Sequence, residues 1–179
     1  MSPLDDIEIR TIDAAEATRR IDELVAILRD SVEGGASMNF LDGVTDEELA
    51  DFWRDAISDI EAGGRVLIVA DTAGVVVVGT AMLIDAPQQN ARHRAEVGKM
   101  IVHRSARRQR IGVQLLEAVE AIARERGRTL LLLDTETDSA GERLYAACGW
   151  TSYGVVPDHA CSPGGIPKPT TFFYKQLAP

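Results

Sequence analysis

The chain is poor in cysteine and has no long apolar run. Its only two cysteines among 179 residues, Cys148 and Cys161, are too few for a disulfide framework and too far apart for a CxxC pair. This scarcity predicts a reducing, cytoplasmic setting. No apolar run approaches the roughly 20 residues that cross a bilayer, and residues 1–6 are acidic, unlike the basic and apolar start of an export signal. We therefore expect neither membrane insertion nor secretion.

The overall composition predicts one globular domain. Hydrophobic residues make up 45% of the chain and charged residues 26%, and a domain of this size buries about 70% of the surface that its unfolded chain exposes. Such a core is stable without disulfides or a metal. The sequence contains no repeat, low-complexity tract or linker, so we expect a single domain over residues 1–179.

Positive charge is scarce except in one place. The net charge is −9; residues 1–64 carry 17 acids and 5 bases, whereas residues 91–110 carry 1 acid and 7 bases. One basic island in an acidic protein favours a compact anionic ligand over nucleic acid, because the rest of the molecule repels a long polyanion. The basic stretch also lacks the aromatic residues that stack on bases. The alternative is a solvated basic turn.

Apolar periodicity predicts an α/β fold. A strand over residues 7–11 is followed by Asp13 as a helix cap, one helix over residues 14–31, and a second helix that starts with the capping box of Thr45 and Glu48. Two apolar strands, 65–70 and 75–84, have the pattern of an antiparallel hairpin.

The second half of the chain alternates strands and helices. Strand 95–103, helix 111–126 and strand 129–134 predict a parallel crossover. A short helix over residues 139–148 and two strands, 151–156 and 170–177, complete a mixed, largely antiparallel sheet.

The stretch after the fourth predicted strand is typical of an anion site. A helix N-terminus offers free backbone N–H groups and a positive dipole end, and Arg107, Arg108 and Arg110 add charge. Gly112 lets a ligand or another backbone approach closely. These features predict a pyrophosphate as the occupant. Neither a Walker A loop nor a GxGxxG fingerprint is present, so nucleoside triphosphate and NAD sites are not expected.

Two segments resemble one known family. Residues 107–112, Arg-Arg-Gln-Arg-Ile-Gly, are similar to the acetyl-CoA loop Arg/Gln-x-x-Gly-x-Gly/Ala of the GNAT superfamily of N-acetyltransferases. Arg110 replaces the first glycine, which fits if it keeps a negative φ. Residues 138–150 resemble the family's Asn-x-x-Ala-x-x-Leu-Tyr-x-x-x-Gly-Phe segment, with Asp138 in place of the asparagine. The resemblance covers residues 65–177.

The resemblance implies a fold, a donor and a binding set. It implies a GNAT-type twisted sheet of about seven strands flanked by about four helices, and acetyl-CoA as the acetyl donor without a metal. In the family the donor's pantetheine lies along the fourth strand, and a backbone N–H there stabilises the oxyanion. The implied cofactor-binding residues are Met100, Ile101, Val102, Arg107, Arg108, Gln109, Arg110, Ile111, Gly112, Val113, Gln114 and Asp138.

Looser similarity concerns the acceptor. Residues 93–102, 156–160 and 170–175 resemble the tabtoxin resistance acetyltransferase group. This implies a primary amine as acceptor, either a small molecule such as an amino-acid-like toxin or a peptide. Homodimers are common in the family, so a homodimer is a further expectation.

Three residues are candidates for catalysis. The resemblance implies that Tyr145 protonates the CoA sulfur; the alternative is a core tyrosine. The attacking amine must lose a proton, and Glu96, an acid in an apolar strand, is the first candidate base, unless it simply faces outward. Asp134 is the second, unless it is a cap or turn residue. Cys148 is expected to pack, so we expect direct attack in a ternary complex.

The acceptor pocket is the least defined part of the prediction. Phe40, Trp53 and Trp150 either line it or belong to the core. A non-catalytic acetyl-CoA sensor is the alternative function; it would need neither Tyr145 nor an acid on the fourth strand.

Overall fold

The computed structural model describes residues 7–36, 38–72 and 76–178. The strands are β1 (Ile7–Ile12), β2 (Arg65–Thr72), β3 (Val77–Asp85), β4 (Arg94–Val102), β5 (Leu130–Glu136), β6 (Thr151–Cys161) and β7 (Pro167–Gln176). The helices are α1 (Ala14–Arg19), α2 (Ile21–Glu33), α3 (Asp46–Glu61), α4 (Ile111–Glu125) and α5 (Ala140–Ala147). Short 3-10 turns occupy Gln89–Ala91 and Arg104–Ala106.

All seven strands form one sheet in the order β1-β2-β3-β4-β5-β7-β6. Among the strands of the described residues only the β4–β5 pair is parallel, and α4 connects these two strands. The predicted mixed, largely antiparallel sheet and its crossover are therefore confirmed. So is the hairpin of β2 and β3, although residues 73–75 of its turn lie outside the described residues.

Helices cover both faces of the β1–β4 half of the sheet. Helices α2 and α3 pack on one face, where Leu67, Val69 and Met82 join the α2/α3 cluster. Helix α4 packs on the other face, where Ile68 and Leu83 join the α4 cluster. Because both faces are buried, β2 and β3 are apolar along nearly their whole length, as their sequences predict.

The single helix predicted over residues 14–31 is wrong, because the chain breaks at Arg20. The Arg20 backbone leaves helical geometry, and its buried guanidinium donates to Asp71 at 2.7 Å and to Glu23 at 2.9 Å. The ion pair with Asp71 joins the break to β2. A buried, well-bonded arginine at this point compensates for the helical hydrogen bonds lost between α1 and α2.

The other helix limits agree with their sequence signals. Thr45 and Glu48 form the predicted capping box, with Thr45 N donating to the Glu48 carboxylate at 2.8 Å and Glu48 N to Thr45 Oγ1 at 3.2 Å. Asp13 caps α1 and Ser139 caps α5. Strand β6 is longer than predicted and reaches Cys161, because it stays paired with β7 beyond an irregularity between Val156 and Ala160. None of the helices in the described ranges is long and apolar enough to span a membrane.

Candidate active site

The site begins where β4 and β5 separate. Their parallel pairing covers only three positions and ends at Glu96 and Leu132. Beyond that point β4 remains paired with β3, whereas its other edge, over residues 97–102, has no strand partner among the described residues. We call this opening the splay. An unpaired strand edge offers N–H and C=O groups to an extended ligand.

A β-bulge at Lys99 shapes the splay. Met82 pairs with Gly98 and Thr80 pairs with Ile101, so two residues of β4 oppose one of β3. Lys99 takes a φ of +46°, and its carbonyl accepts a hydrogen bond from Thr80 Oγ1 at 2.8 Å. Because of the extra residue, the odd-numbered side chains of β4 change from one side of the sheet to the other at the bulge. Before it, residues 95 and 97 contact the α4 cluster; after it, Ile101 belongs to the α2/α3 cluster, and Met100 and Val102 pack on the α4 side.

The phosphate loop, residues 107–113, leads from the splay into α4. In the described structure the backbone N–H groups of residues 110–113 donate no hydrogen bond within the protein, and α4 has no side-chain cap. Residues 107–110 are all exposed. Free amides, a helix dipole and arginine side chains together are the groups that bind phosphate in proteins, so this loop is a candidate phosphate site.

Arg110 does not keep the expected negative φ. It is the N-cap of α4 with φ +62° and ψ 9°, and Arg108 also has a positive φ of +65°. The chain must turn sharply here to bring the free amides together, a conformation that glycine adopts without strain and arginine does not.

Gly112 is required mainly by packing between helices. A Cβ on this residue would lie 3.0 Å from Leu144 Cδ2 of α5. The close approach that the sequence predicts at Gly112 is therefore made by a side chain of α5. The phosphate loop thus packs directly against the helix that carries Tyr145.

Tyr145 of α5 lies on the α4 side of the sheet, in the α4 cluster. It is 6% exposed and packs against Trp150 and Phe173, with ring centroids 6.2 Å and 5.9 Å away. Burial, together with the negative charge of Asp134, raises the pKa of its phenol above the ordinary value. The hydroxyl therefore keeps its proton at neutral pH.

Asp134 is central to the site, and Glu96 lies at its margin. Asp134 lies within β5 rather than at a cap, two residues beyond the last pair with β4. Its charge acts on both Tyr145 and Lys99. Glu96 is exposed on the same face of the sheet, at the last paired position. We call Lys99, Asp134 and Tyr145 the reaction centre.

Lys99 was not identified from the sequence. Its ammonium donates to the carbonyl of Met38 at 3.0 Å and lies 4.5 Å from the ring centroid of Phe52. Burial lowers its pKa from 10.5 to about 8, aided by the charge of Arg65 and opposed by that of Asp134. The available signal was a lysine between Gly98 and the apolar residues 100–102.

Two segments meet over the α2/α3 side of the sheet. The loop between α2 and α3 carries Met38 and Phe40, and its Asp42 N–H donates to the carbonyl of Pro163 in the β6–β7 turn at 2.8 Å. Phe40 also packs edge-on against Phe52, with centroids 5.9 Å apart. Trp53 and Trp150, the other candidates for the acceptor pocket, are 0% and 4% exposed and belong to the core.

The environment of Cys148 does not favour a nucleophilic role. Cys148 is half-buried against the α4 cluster, and burial raises the pKa of its thiol, which disfavours the reactive thiolate. Within residues 7–36, 38–72 and 76–178, no group of three or more His, Cys, Asp or Glu side chains is placed to hold a metal ion.

Comparison with known proteins identifies the family. The sequence model of the acetyltransferase (GNAT) family matches residues 26–150, which include the splay, the phosphate loop and Tyr145. The chain belongs to the GNAT family.

Solved structures show the same GNAT fold over nearly the whole chain. A ribosomal-protein-alanine N-acetyltransferase from Brucella melitensis is 25% identical, with a TM-score of 0.75 over 95% of this chain and 99% of that one. An N-acetyltransferase from Staphylococcus aureus is 17% identical, with a TM-score of 0.79 over 97% and 100%. A Salmonella typhimurium protein, solved with its cofactor acetyl-CoA, is 21% identical, with a TM-score of 0.76 over 97% and 95%.

Proposed function

We propose that this chain is an acetyl-CoA-dependent N-acetyltransferase that acts on a primary amine by direct attack in a ternary complex. One observation carries the proposal: the unpaired edge of β4 leads straight to the free amides of residues 110–113. A ligand that joins an amide-containing arm to a pyrophosphate matches both parts, and acetyl-CoA has this structure. The family assignment supports the same donor.

The backbone and the exposed side chains would hold the donor. Met100, Ile101 and Val102 offer strand-type hydrogen bonds to pantetheine, while Arg107, Arg108, Gln109 and Arg110 surround the phosphates. Ile111, Gly112 and Val113 supply amides from the first turn of α4, with Gln114 beside them. Asp138, at a φ of +63° before the Ser139 cap, completes the set. Acetyl-CoA supplies an acetyl thioester, an acyl group activated toward amines.

We assign the proton transfers of the reaction to the reaction centre. An amine with a pKa near 10 is mostly protonated at neutral pH, so a base must accept a proton before the nitrogen can attack. We place this role first on Asp134, because its charge reaches both Lys99 and Tyr145, and keep Glu96 as the alternative. Tyr145 donates its proton to the departing thiolate sulfur, and a backbone N–H of residues 100–102 stabilises the developing negative charge on the carbonyl oxygen.

The acceptor is proposed from chemistry and resemblance. A small-molecule amine, such as an amino-acid-like toxin, agrees with the resemblance to the tabtoxin resistance group. A peptide amine is the alternative, since one neighbour is named for an alanine of a ribosomal protein. The cytoplasmic setting and the homodimer remain predictions.

Thermal unfolding with acetyl-CoA, CoA and ATP tests the donor site. A ligand at 100 times its dissociation constant stabilises a protein by about 2.7 kcal/mol, which for a chain of this size raises Tm by roughly 5–10 °C. We expect this shift with acetyl-CoA and CoA, and a much smaller one with ATP, which has no pantetheine arm. Equal shifts with ATP, or none with acetyl-CoA, would contradict the proposal.

Release of CoA thiol with a panel of amines then tests catalysis. Acetyl-CoA binding with no turnover of any amine would favour the alternative function, a non-catalytic acetyl-CoA sensor.

A further inference from the structure

The α2/α3 side of the sheet is exposed beyond β4. Helices α2 and α3 pack over β2, β3 and β4. In β5 and β7, side chains such as Leu133 and Phe173 are buried in the α4 cluster, so the residues that alternate with them face the α2/α3 side. There Asp134 is exposed, and Phe172 and Tyr174 are only half-buried. This half of the sheet therefore offers an open surface next to the splay.

Four ring side chains lie together on this open surface. Tyr153 of β6 is 58% exposed, and its ring centroid lies 6.1 Å from those of Phe172 and Tyr174. His159 packs edge-on against Phe172, with centroids 5.1 Å apart. We call Tyr153, His159, Phe172 and Tyr174 the aromatic platform. Exposed apolar side chains that form one contiguous patch are typical of a binding surface.

A bulge in β6 builds the platform and keeps it open. Ser152 of β6 pairs with Phe173 of β7. The next pair joins Gly154 to Phe172, which leaves Tyr153 as an extra residue between the two pairs. The strand partner of Phe172 therefore has no side chain, and a Cβ built on Gly154 would meet no atom within 4 Å. The space beside the Phe172 ring is free for a ligand.

The platform adjoins the reaction centre. Asp134 of β5 pairs directly with Phe172 of β7, and side chains opposed in this way on one face have Cβ atoms about 4.5–5.5 Å apart. The neighbouring pair, Leu132 and Tyr174, continues the apolar surface along the same two strands. An acceptor with its nitrogen at Asp134 can therefore place a ring on Phe172. At about 1.5 Å per bond, two or three carbon atoms between nitrogen and ring span this separation.

We infer that the acceptor is a primary amine with an aromatic ring two or three carbon atoms from its nitrogen, and that the aromatic platform holds this ring. Aromatic rings prefer edge-to-face or offset contacts with centroids about 4.5–7 Å apart, the spacing already present within the platform, so a ligand ring would extend the same cluster. A second copy of the chain is a poorer occupant, because it would cover Asp134 and close the approach to the reaction centre.

The inference rests on the proposed acetyl transfer with Asp134 as the base, and adds the substrate class and the side chains that select it. Three amines test it: 2-phenylethylamine, 2-cyclohexylethylamine, which has a saturated ring of similar size, and ethylamine, which has no ring. From the release of CoA thiol we expect kcat/KM for 2-phenylethylamine to exceed that for ethylamine by at least about tenfold. It should exceed that for 2-cyclohexylethylamine by about two- to tenfold.

Variants of β6 assign this preference to the platform. Tyr153→Ala should lower kcat/KM for 2-phenylethylamine by about tenfold, mainly through KM, and change that for ethylamine by less than about threefold. Val155→Ala is the matched control. Val155 is 53% exposed on the same strand, but it pairs with Thr171, whose side chain bonds Glu142 of α5 on the other side of the sheet. This variant should leave both values unchanged, and Phe172→Leu, which keeps an apolar side chain without a ring, should repeat the effect of Tyr153→Ala.

Four results would overturn the inference. Equal kcat/KM for 2-phenylethylamine and ethylamine, or a preference for the saturated ring, would reject the substrate class while acetyl transfer stands. Equal losses on both amines in Tyr153→Ala would show that the platform only supports the fold. Light scattering that finds a wild-type dimer and a Tyr153→Ala monomer with the same amine preference would assign the platform to a second copy. If acetyl-CoA neither stabilises the protein nor is turned over with any amine, the proposed function fails, and the inference fails with it.

Discussion

The phosphate loop offers backbone groups to a ligand, whereas the reaction centre offers side chains. In the loop the useful groups are backbone amides of residues 110–113, and the side chains of residues 107–110 around them are exposed. In the reaction centre the useful groups are the side chains of Lys99, Asp134 and Tyr145, two of them held by packing. A site made of backbone tolerates many side chains, whereas a site made of side chains depends on each of them. Single substitutions should therefore have large effects in the centre and small ones in the loop.

The largest expected effect is that of Tyr145→Phe. The substitution keeps the ring that packs on Trp150 and Phe173 and removes only the proton that we assign to the thiolate. We expect kcat to fall about 10²–10³-fold, with acetyl-CoA affinity within about twofold of the wild type. Thiol release measures kcat, and the thermal shift measures binding. A kcat within about threefold of the wild type would remove Tyr145 from the mechanism and weaken the contrast between the two regions.

A smaller effect distinguishes the two candidate bases. Asp134→Asn should lower kcat/KM by about 10²-fold, because the amide cannot accept the amine's proton. Glu96→Gln makes the same chemical change on the same face of the sheet, at the exposed margin, and should change kcat/KM by less than about threefold. Steady-state kinetics at neutral pH compares the two variants. If Glu96→Gln lowered kcat/KM more than Asp134→Asn, the base would be Glu96, and the reaction centre would lie nearer the paired end of β4 and β5.

The sequence could predict features that depend on local patterns, but not those that depend on contacts between distant residues. The strands, the capping box of α3 and the basic turn depend on local patterns, and the phosphate loop is a short motif, so residues 107–112 could be placed from their order alone. At the break between α1 and α2, Arg20 pairs with Asp71, 51 residues away, a contact that no local pattern shows. A periodic apolar face therefore predicted one helix where there are two.

Lys99 escaped prediction for a related reason. Its side chain reaches the α2/α3 side because a bulge exchanges the faces of β4, and the bulge is fixed by pairing with Thr80 of another strand. If side chains of β4 alternated strictly between the two faces of the sheet, Lys99 would be placed on the α4 side, which is the wrong face. Tyr145 was predicted because it belongs to a motif, whereas the raised pKa of its phenol comes from burial in the α4 cluster and from the charge of Asp134, 11 positions earlier in another element.

The smallest expected effect lies in the phosphate loop, at Arg110. Its φ of +62° strains an L-residue by about 1–2 kcal/mol, while a glycine loses about 0.5–1 kcal/mol more backbone entropy on folding. Arg110→Gly should therefore raise the free energy of unfolding by up to about 1.5 kcal/mol, measured by urea denaturation. The lost charge should weaken acetyl-CoA binding only about two- to fivefold at low salt, a difference that shrinks as salt is added.

Arg107 is the matched control for Arg110. It is exposed in the same loop and carries the same charge, but its φ is −67°, so Arg107→Gly relieves no strain. We expect similar weakening of acetyl-CoA binding together with a loss of about 0.5–1 kcal/mol in the free energy of unfolding. If both variants lose stability, the strain at Arg110 is not what distinguishes the two positions. If either one abolishes acetyl-CoA binding, the arginine side chains, rather than the amides of residues 110–113, hold the phosphates.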